Sequence, residues 1–107
     1  MSSWTVTYLD EALKDITRLD GSVKQQVAKA IKKVSQNPLP KREGGYGVEL
    51  GNKAGHDLSD CLKIKLSKAG IRVVYRIQRE ESQMNIIIVG IRANLEVYVE
   101  AAKRLGR

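Results

Sequence analysis

The sequence predicts an α+β fold. It is a small twisted, mainly antiparallel four-stranded sheet in the order β-α-α-β-β-β-α, with a helical hairpin packed on one face and a C-terminal helix. Three observations lead there. Apolar residues recur at helical spacing between residues 10 and 37. They alternate at strand spacing between residues 61 and 91. Helical spacing returns after that. At 107 residues the chain is expected to be a single domain, 1–107.

Each element has a local cause. Trp4–Tyr8 alternates and is rich in strand formers, which predicts a first strand. Asp10 has the character of an N-cap, and Ala12, Leu13, Ile16 and Leu19 follow as a helical stripe. Asp20-Gly21 predicts a turn. Ser22 with Gln25 is a capping-box pattern, and Val23, Val27, Ala30, Ile31 and Val34 mark an amphipathic helix. Pro38 and Pro40 require it to end near Asn37. Residues 41–58 hold five glycines and little periodicity, as a loop or an insertion would, with a short strand or extended stretch at Tyr46–Leu50.

Leu62, Ile64 and Leu66 then alternate with Lys63 and Lys65. Ile71, Val73, Tyr75 and Ile77 alternate with Arg72, Val74 and Arg76. Met84–Ile91 is β-branched enough for a strand buried on both faces. Turns at Ser67–Gly70 and Arg79–Gln83 make these runs an antiparallel meander. From Asn94 a helix runs toward Leu105 with Leu95, Tyr98, Ala102 and Leu105 on one stripe. Glu100 and Arg104 form an i,i+4 pair, and Gly106 ends it.

The composition narrows the function. One cysteine, Cys61, excludes an internal disulfide, and one histidine, His56, leaves too few ligands for a Cys/His zinc centre, so no metal or cofactor is expected. The longest apolar run, Ile86–Val89, is far short of the ~20 residues that span a bilayer. No signal peptide is evident, which predicts a cytoplasmic protein without a membrane partner. The net charge is +7, unevenly placed. Residues 1–60 hold nine Lys and Arg against eight Asp and Glu, and residues 61–107 hold ten against four. A basic half suits a polyanion. Five per cent aromatics, with no Phe, argues against a platform for several stacked bases.

Side chains two apart on a strand share a face, so Lys63 and Lys65 project together, away from Leu62, Ile64 and Leu66. If Leu66 pairs with Ile71 across a four-residue loop, Lys65 lies opposite Arg72. A five-residue loop at 79–83 puts Arg72 opposite Gly90, with Arg92 two residues on. Gly90 would leave space among the cations. Tyr98 lies one helical turn beyond the start of the last helix. Gathered cations repel unless an anion arrives, which favours a polyanion site. The solvent face of a one-sided sheet also carries alternating lysines, so both readings fit the pattern.

At these residues the chain resembles the RelE-type toxins of bacterial toxin–antitoxin systems. Cys-Leu-Lys-Ile-Lys-Leu (61–66), Gly-Ile-Arg-Val-Val-Tyr (70–75), Val-Gly-Ile-Arg-Ala-Asn-Leu-Glu-Val-Tyr (89–98) and Asp-Glu-Ala-Leu-Lys (10–14) resemble family motifs in the family's order. The resemblance implies a metal-independent endoribonuclease that cuts mRNA in the ribosomal A site and inhibits translation. It implies Lys63, Lys65, Arg72, Arg92 and Tyr98 as the catalytic set. Lys65 is then the general base, and Lys63 and Arg72 clamp the phosphorane. Arg92 stands at the leaving oxygen, and Tyr98 stacks on a base or orients the substrate; packing of the last helix on the sheet is the alternative reading of Tyr98. It also implies ribosomal RNA as a partner and a cognate, RelB-like antitoxin of acidic or amphipathic character. DNA would be met only indirectly, through an antitoxin complex.

Further RNA contacts are expected at Arg76, Lys68, Lys32 and Lys33, with Arg79 and Lys29 open to the same reading or to simple solvation. Tyr46 is a lid or base-contact candidate, His56 a surface residue and Cys61 a small core residue. Two other functions remain open: a ParE-like toxin acting on DNA gyrase without RNA cleavage, and a non-catalytic ribosome- or RNA-binding module.

Overall fold

The alternation through residues 61–90 folds as the expected meander. The computed structural model describes residues 4–53, 55–91 and 95–107. Its sheet has five strands: β1 (Thr5–Tyr8), β2 (Val48–Lys53), β3 (His56–Leu66), β4 (Ile71–Gln78) and β5 (Gln83–Gly90). Their spatial order is β1-β5-β4-β3-β2. Only the β1–β5 pairing is parallel, and the other three are antiparallel. The helices are α1 (Asp10–Thr17), α2 (Gly21–Val34) and α3 (Leu95–Arg104).

The extra strand comes from residues 41–58, which are more ordered than five glycines suggest. A 3-10 turn at Lys41–Glu43 leads into β2, and β3 starts at His56 rather than Cys61. The chain order is therefore β-α-α-β-β-β-β-α. Glycines punctuate the hairpin instead of dissolving it: Gly51 and Gly55 hold the positive φ that side-chain-bearing residues rarely adopt.

Helix ends differ in detail from the motif reading. Leu9, not Asp10, is the N-cap of α1, with no side-chain cap, and Asp10 is the first helical residue. At α2 the capping box does not form. The Asp20 carboxylate accepts from the Val23 N–H (3.2 Å), so the cap lies two residues before Ser22. The helix ends at Val34, before Asn37. Leu13, expected on the buried stripe of α1, is 47% exposed, whereas Ala12 and Leu19 are buried. Gly106 terminates α3 at φ +76.

Helices cover both faces of the sheet, so the one-sided reading is wrong. Val27, Ile31 and Val34 of α2 and Ala12 of α1 pack on Leu62, Ile64, Ile71, Val73, Tyr75, Met84, Ile86 and Val89. On the other face Val97, Tyr98, Ala101 and Ala102 of α3 pack on Cys61, Val74, Ile87 and Ile88. Two irregularities make this division possible. Between Tyr75↔Ile86 and Val74↔Ile88, β5 carries one extra residue, Ile87. That bulge turns Ile87 and Ile88 to the α3 side while Ile86 and Val89 both face the hairpin. Between Glu49↔Leu62 and Gly51↔Leu58, β2 supplies only Leu50 against three residues of β3, and Leu58 and Cys61 both reach the α3 side. The free Cys61 is fully buried, and burial pushes its thiol up to about 12.

Candidate functional site

The meander brings cations into one row on the α3 face. Lys65 on β3 pairs with Arg72 on β4, and Arg72 pairs with Gly90 on β5. The Lys65–Arg72 pairing follows from the Ser67–Gly70 turn as expected. The Arg72–Gly90 pairing arises differently. The second turn is a residue tighter, with Gln78 opposite Gln83, and the bulge at Ile87 restores the lost residue. Lys63 stands two positions before Lys65 on the same face, opposite Val74. Lys65 is exposed, and Lys63 and Arg72 are half-buried.

Gly90 does not leave an open space among the cations. A Cβ there would lie 2.6 Å from Val97 Cγ2, so Gly90 is where α3 comes down onto the sheet. That approach brings Tyr98 over the row. The Arg72 guanidinium donates to the Tyr98 hydroxyl (Nη1–Oη 2.7 Å), and its carbon lies 5.9 Å from the ring centroid. Tyr98 is only 3% exposed, so it packs the helix and contacts the site at once. Among the described residues Arg72 Nε is buried without a hydrogen-bond partner. Arg92 lies outside the described residues.

The other expected contacts fall in three places. Lys68 is exposed in the β3–β4 turn. Arg76 shares the α3 face, between Cys61 and Asn85, with its Nε also buried and without a partner among the described residues. Lys29, Lys32 and Lys33 are exposed on α2, across the sheet from the Lys65–Arg72 row. Arg79 is exposed, as the solvated reading expects, but paired: it holds Glu43 through two hydrogen bonds (2.8 and 2.7 Å) and depresses that carboxyl. His56 sits at the β2–β3 hairpin, away from the row.

A cleft of about 540 Å³ lies elsewhere, lined by Pro40, Arg42, Leu62, Ile77, Arg79 and neighbours. None of the cationic row lines it. The row lies at the surface beside α3, with Lys65 exposed and Lys63 and Arg72 half-buried, whereas enclosed clefts suit small molecules.

Motif reading missed the contacts that hold α3. Arg104 pairs with Glu100 as expected (3.1 Å), but its main partner is Asp15 of α1. Asp15 also accepts from the Val89 N–H (3.0 Å), and Arg104 donates to the Ile87 carbonyl (3.0 Å). Those two backbone groups lie at the bulged residue and two positions on, where β5 runs past the end of β1, and side chains there take the place of a paired strand. At the chain end Arg107 clasps Asp60 (2.6 and 2.8 Å) and keeps its carboxyl below the usual range. No sequence spacing signals either pair.

Comparison with known proteins agrees with this architecture. Residues 6–98 match the model of the ParE toxin of type II toxin-antitoxin systems, parDE. The mRNA interferase toxin RelE of Escherichia coli strain K12 is 34% identical over 96 residues, covering 90% of each chain. The solved structure of an E. coli RelE double-arginine mutant in the free state superposes with a TM-score of 0.75 at 30% identity, covering 97% of this chain and 99% of that one. The same E. coli mutant in complex with a peptide of the antitoxin RelB gives 0.69 at 30% identity, covering 96% and 98%.

Proposed function

The chain belongs to the RelE/ParE family of type II toxins, and from that premise we propose that it is a ribosome-dependent endoribonuclease. It cuts mRNA in the ribosomal A site and is held silent by a cognate antitoxin. The observation that carries this reading is the Lys65–Arg72 pair with the Tyr98 hydroxyl on the Arg72 guanidinium.

The chemistry follows from the groups. The substrate's own 2′-OH is the nucleophile. The Lys65 amine takes its proton, and the oxygen attacks the adjacent phosphorus. Lys63 and Arg72 stabilise the added negative charge, the electrostatic contribution that is usually largest. The bond from phosphorus to the 5′-oxygen breaks and that oxygen takes a proton from water, giving a 2′,3′-cyclic phosphate and a 5′-hydroxyl. The role of Arg92, at the leaving oxygen, is carried over from the family motif at 89–98. An arginine is a poor proton donor, so its part there is charge stabilisation. Tyr98 orients the guanidinium through its hydroxyl, while its ring, 3% exposed, packs α3 on the sheet and is not open to a base. With no histidine in the row, catalysis leans on the ribosome to hold the message in line.

Primer extension on ribosomes carrying a defined A-site codon tests this, with naked RNA as the comparison. A cut inside the A-site codon, lost in Lys65→Ala and Arg72→Ala, is the expected result. Ribosome binding without a cut would instead mean a non-catalytic module. A protein that neither binds nor cuts, yet blocks gyrase-dependent supercoiling, would be the ParE-like alternative that the family match also admits.

A further inference from the structure

Tyr46 is an aromatic side chain held rigidly at the surface. It stands between two glycines that are both packed tight. A Cβ at Gly45 would collide with the Leu39 carbonyl, and one at Gly47 with the Leu62 side chain and the Tyr75 hydroxyl, and lie 2.9 Å from the Pro38 oxygen. Hydrogen bonds pin this segment: the Tyr46 N–H donates to the Asn37 carbonyl (2.9 Å), the Gly47 N–H to Leu39 (3.0 Å) and the Lys41 N–H to Gly47 (2.9 Å). The buried Tyr75 hydroxyl anchors Pro38 from below (2.8 Å). On this fixed backbone Tyr46 remains 46% exposed.

Its neighbours are cationic. The Lys33 amine lies 5.4 Å from the Tyr46 ring centroid. Lys29, Lys32 and Lys33 are exposed on α2, and Lys41 is exposed beside the 3-10 turn. The carboxylates of this segment do not neutralise them, because Glu43 is held by Arg79 and Glu49 by Arg42 (2.9 and 3.1 Å). Apart from Ala28, the exposed residues of α2 are Lys, Gln, Ser and Gly, with no large aliphatic side chain to anchor a protein partner. A preorganised aromatic among ammonium groups, without an apolar groove, is the chemistry of RNA contact: a base stacks on the ring and the lysines meet phosphates.

We propose that Tyr46 with Lys29, Lys32 and Lys33 forms a second RNA-binding surface, on the face of the sheet opposite the cationic row, that docks the protein against ribosomal RNA. It rests on the ribosome-dependent reading above. It adds that the protein grips RNA from both faces, the message on one and the ribosome on the other.

The test is equilibrium binding to 70S ribosomes programmed with a message and a vacant A site, over a range of salt, with cleavage read in parallel. Tyr46→Ala should weaken binding about tenfold and Tyr46→Phe much less, since stacking needs only the ring. Replacing Lys29, Lys32 and Lys33 together by Gln should flatten the dependence of log affinity on log salt by up to about two units. Thermal melting shows that each variant is folded. Variants that bind and are cleavage-competent like wild type, with the same salt slope, overturn the surface while the nuclease reading stands. A wild-type chain that does not bind ribosomes overturns both.

Discussion

Asp15 and Arg104 are 89 positions apart in the chain and meet through two hydrogen bonds, of 2.7 and 3.1 Å. Their side chains are 10% and 9% exposed. Between them they join α1, β5 and α3, because Asp15 also takes the Val89 N–H and Arg104 the Ile87 carbonyl. The pair thus closes the open edge of β5 and fixes the helix that carries Tyr98.

Removing one partner should cost more than removing both. Asp15→Ala leaves the nearly buried Arg104 guanidinium with Glu100 and the Ile87 carbonyl and strands the Val89 N–H, for a loss of about 3 kcal/mol. For a domain of this size that lowers Tm by about 10–20 °C. Asp15→Ala combined with Arg104→Met should recover part of the loss. A double-mutant cycle by thermal melting measures the coupling, and strict additivity would show that the pair contributes nothing.

Gly90→Ala should destabilise the fold by about 1–3 kcal/mol, because the new methyl meets Val97 at 2.6 Å. Val97→Ala in the same chain should relieve that clash. Urea denaturation of the single and double variants checks this, and a double variant less stable than Gly90→Ala would remove the steric account.

The hydroxyl and the ring of Tyr98 should separate in cleavage. Tyr98→Phe keeps the packing on α3 and loses the bond to Arg72, so A-site cleavage should fall about tenfold. Removing the Arg72 side chain should cost about 100- to 1000-fold, as for a lost charge-stabilising donor. Single-turnover cleavage on programmed ribosomes reads both.

Stability should fall at both ends of the pH scale. Asp60, Asp57, Glu43 and Glu49 are held below their ordinary range, chiefly by hydrogen bonds to Arg107, to Ser59, to Arg79 and to Arg42 respectively. Their contribution is present above the unfolded carboxyl value, about 4, and is lost as pH falls through the lower folded values. Cys61 is raised by burial to about 12. Its unfolded thiol ionises near about 8.5, so stability declines as pH climbs above that value. Tyr75 and Tyr8, raised by burial too, add to the decline at higher pH. Denaturant midpoints from pH 3 to 11 check both limbs, and Cys61→Ala should flatten the start of the alkaline one. The native thiol should also resist alkylation at pH 8 and react fully once unfolded.

Much of the candidate site was legible along the chain because strand periodicity is local. Alternation alone divides Lys63 and Lys65 from Leu62, Ile64 and Leu66, and the Ser67–Gly70 turn length sets Lys65 opposite Arg72. The Arg72–Gly90 pair was legible only by compensation, since the tighter turn and the bulge at Ile87 cancel. The strand β2 was obscured because Gly51, at positive φ within it, and the register shift beside it break its alternation.

By itself the sequence determined the element order of the helices and the meander, the cationic face of β3 and β4, and the motifs shared with the toxin family. These rest on interactions between residues close in sequence, where spacing and geometry are tied. Only the tertiary structure decided that α3 covers the cationic face, that Gly90 admits Val97, that Tyr98 meets Arg72, and that Asp15 meets Arg104. Those contacts join residues up to 89 positions apart. No periodicity encodes them, because the partner is chosen by how whole elements pack and by which buried donors and acceptors are left to be satisfied.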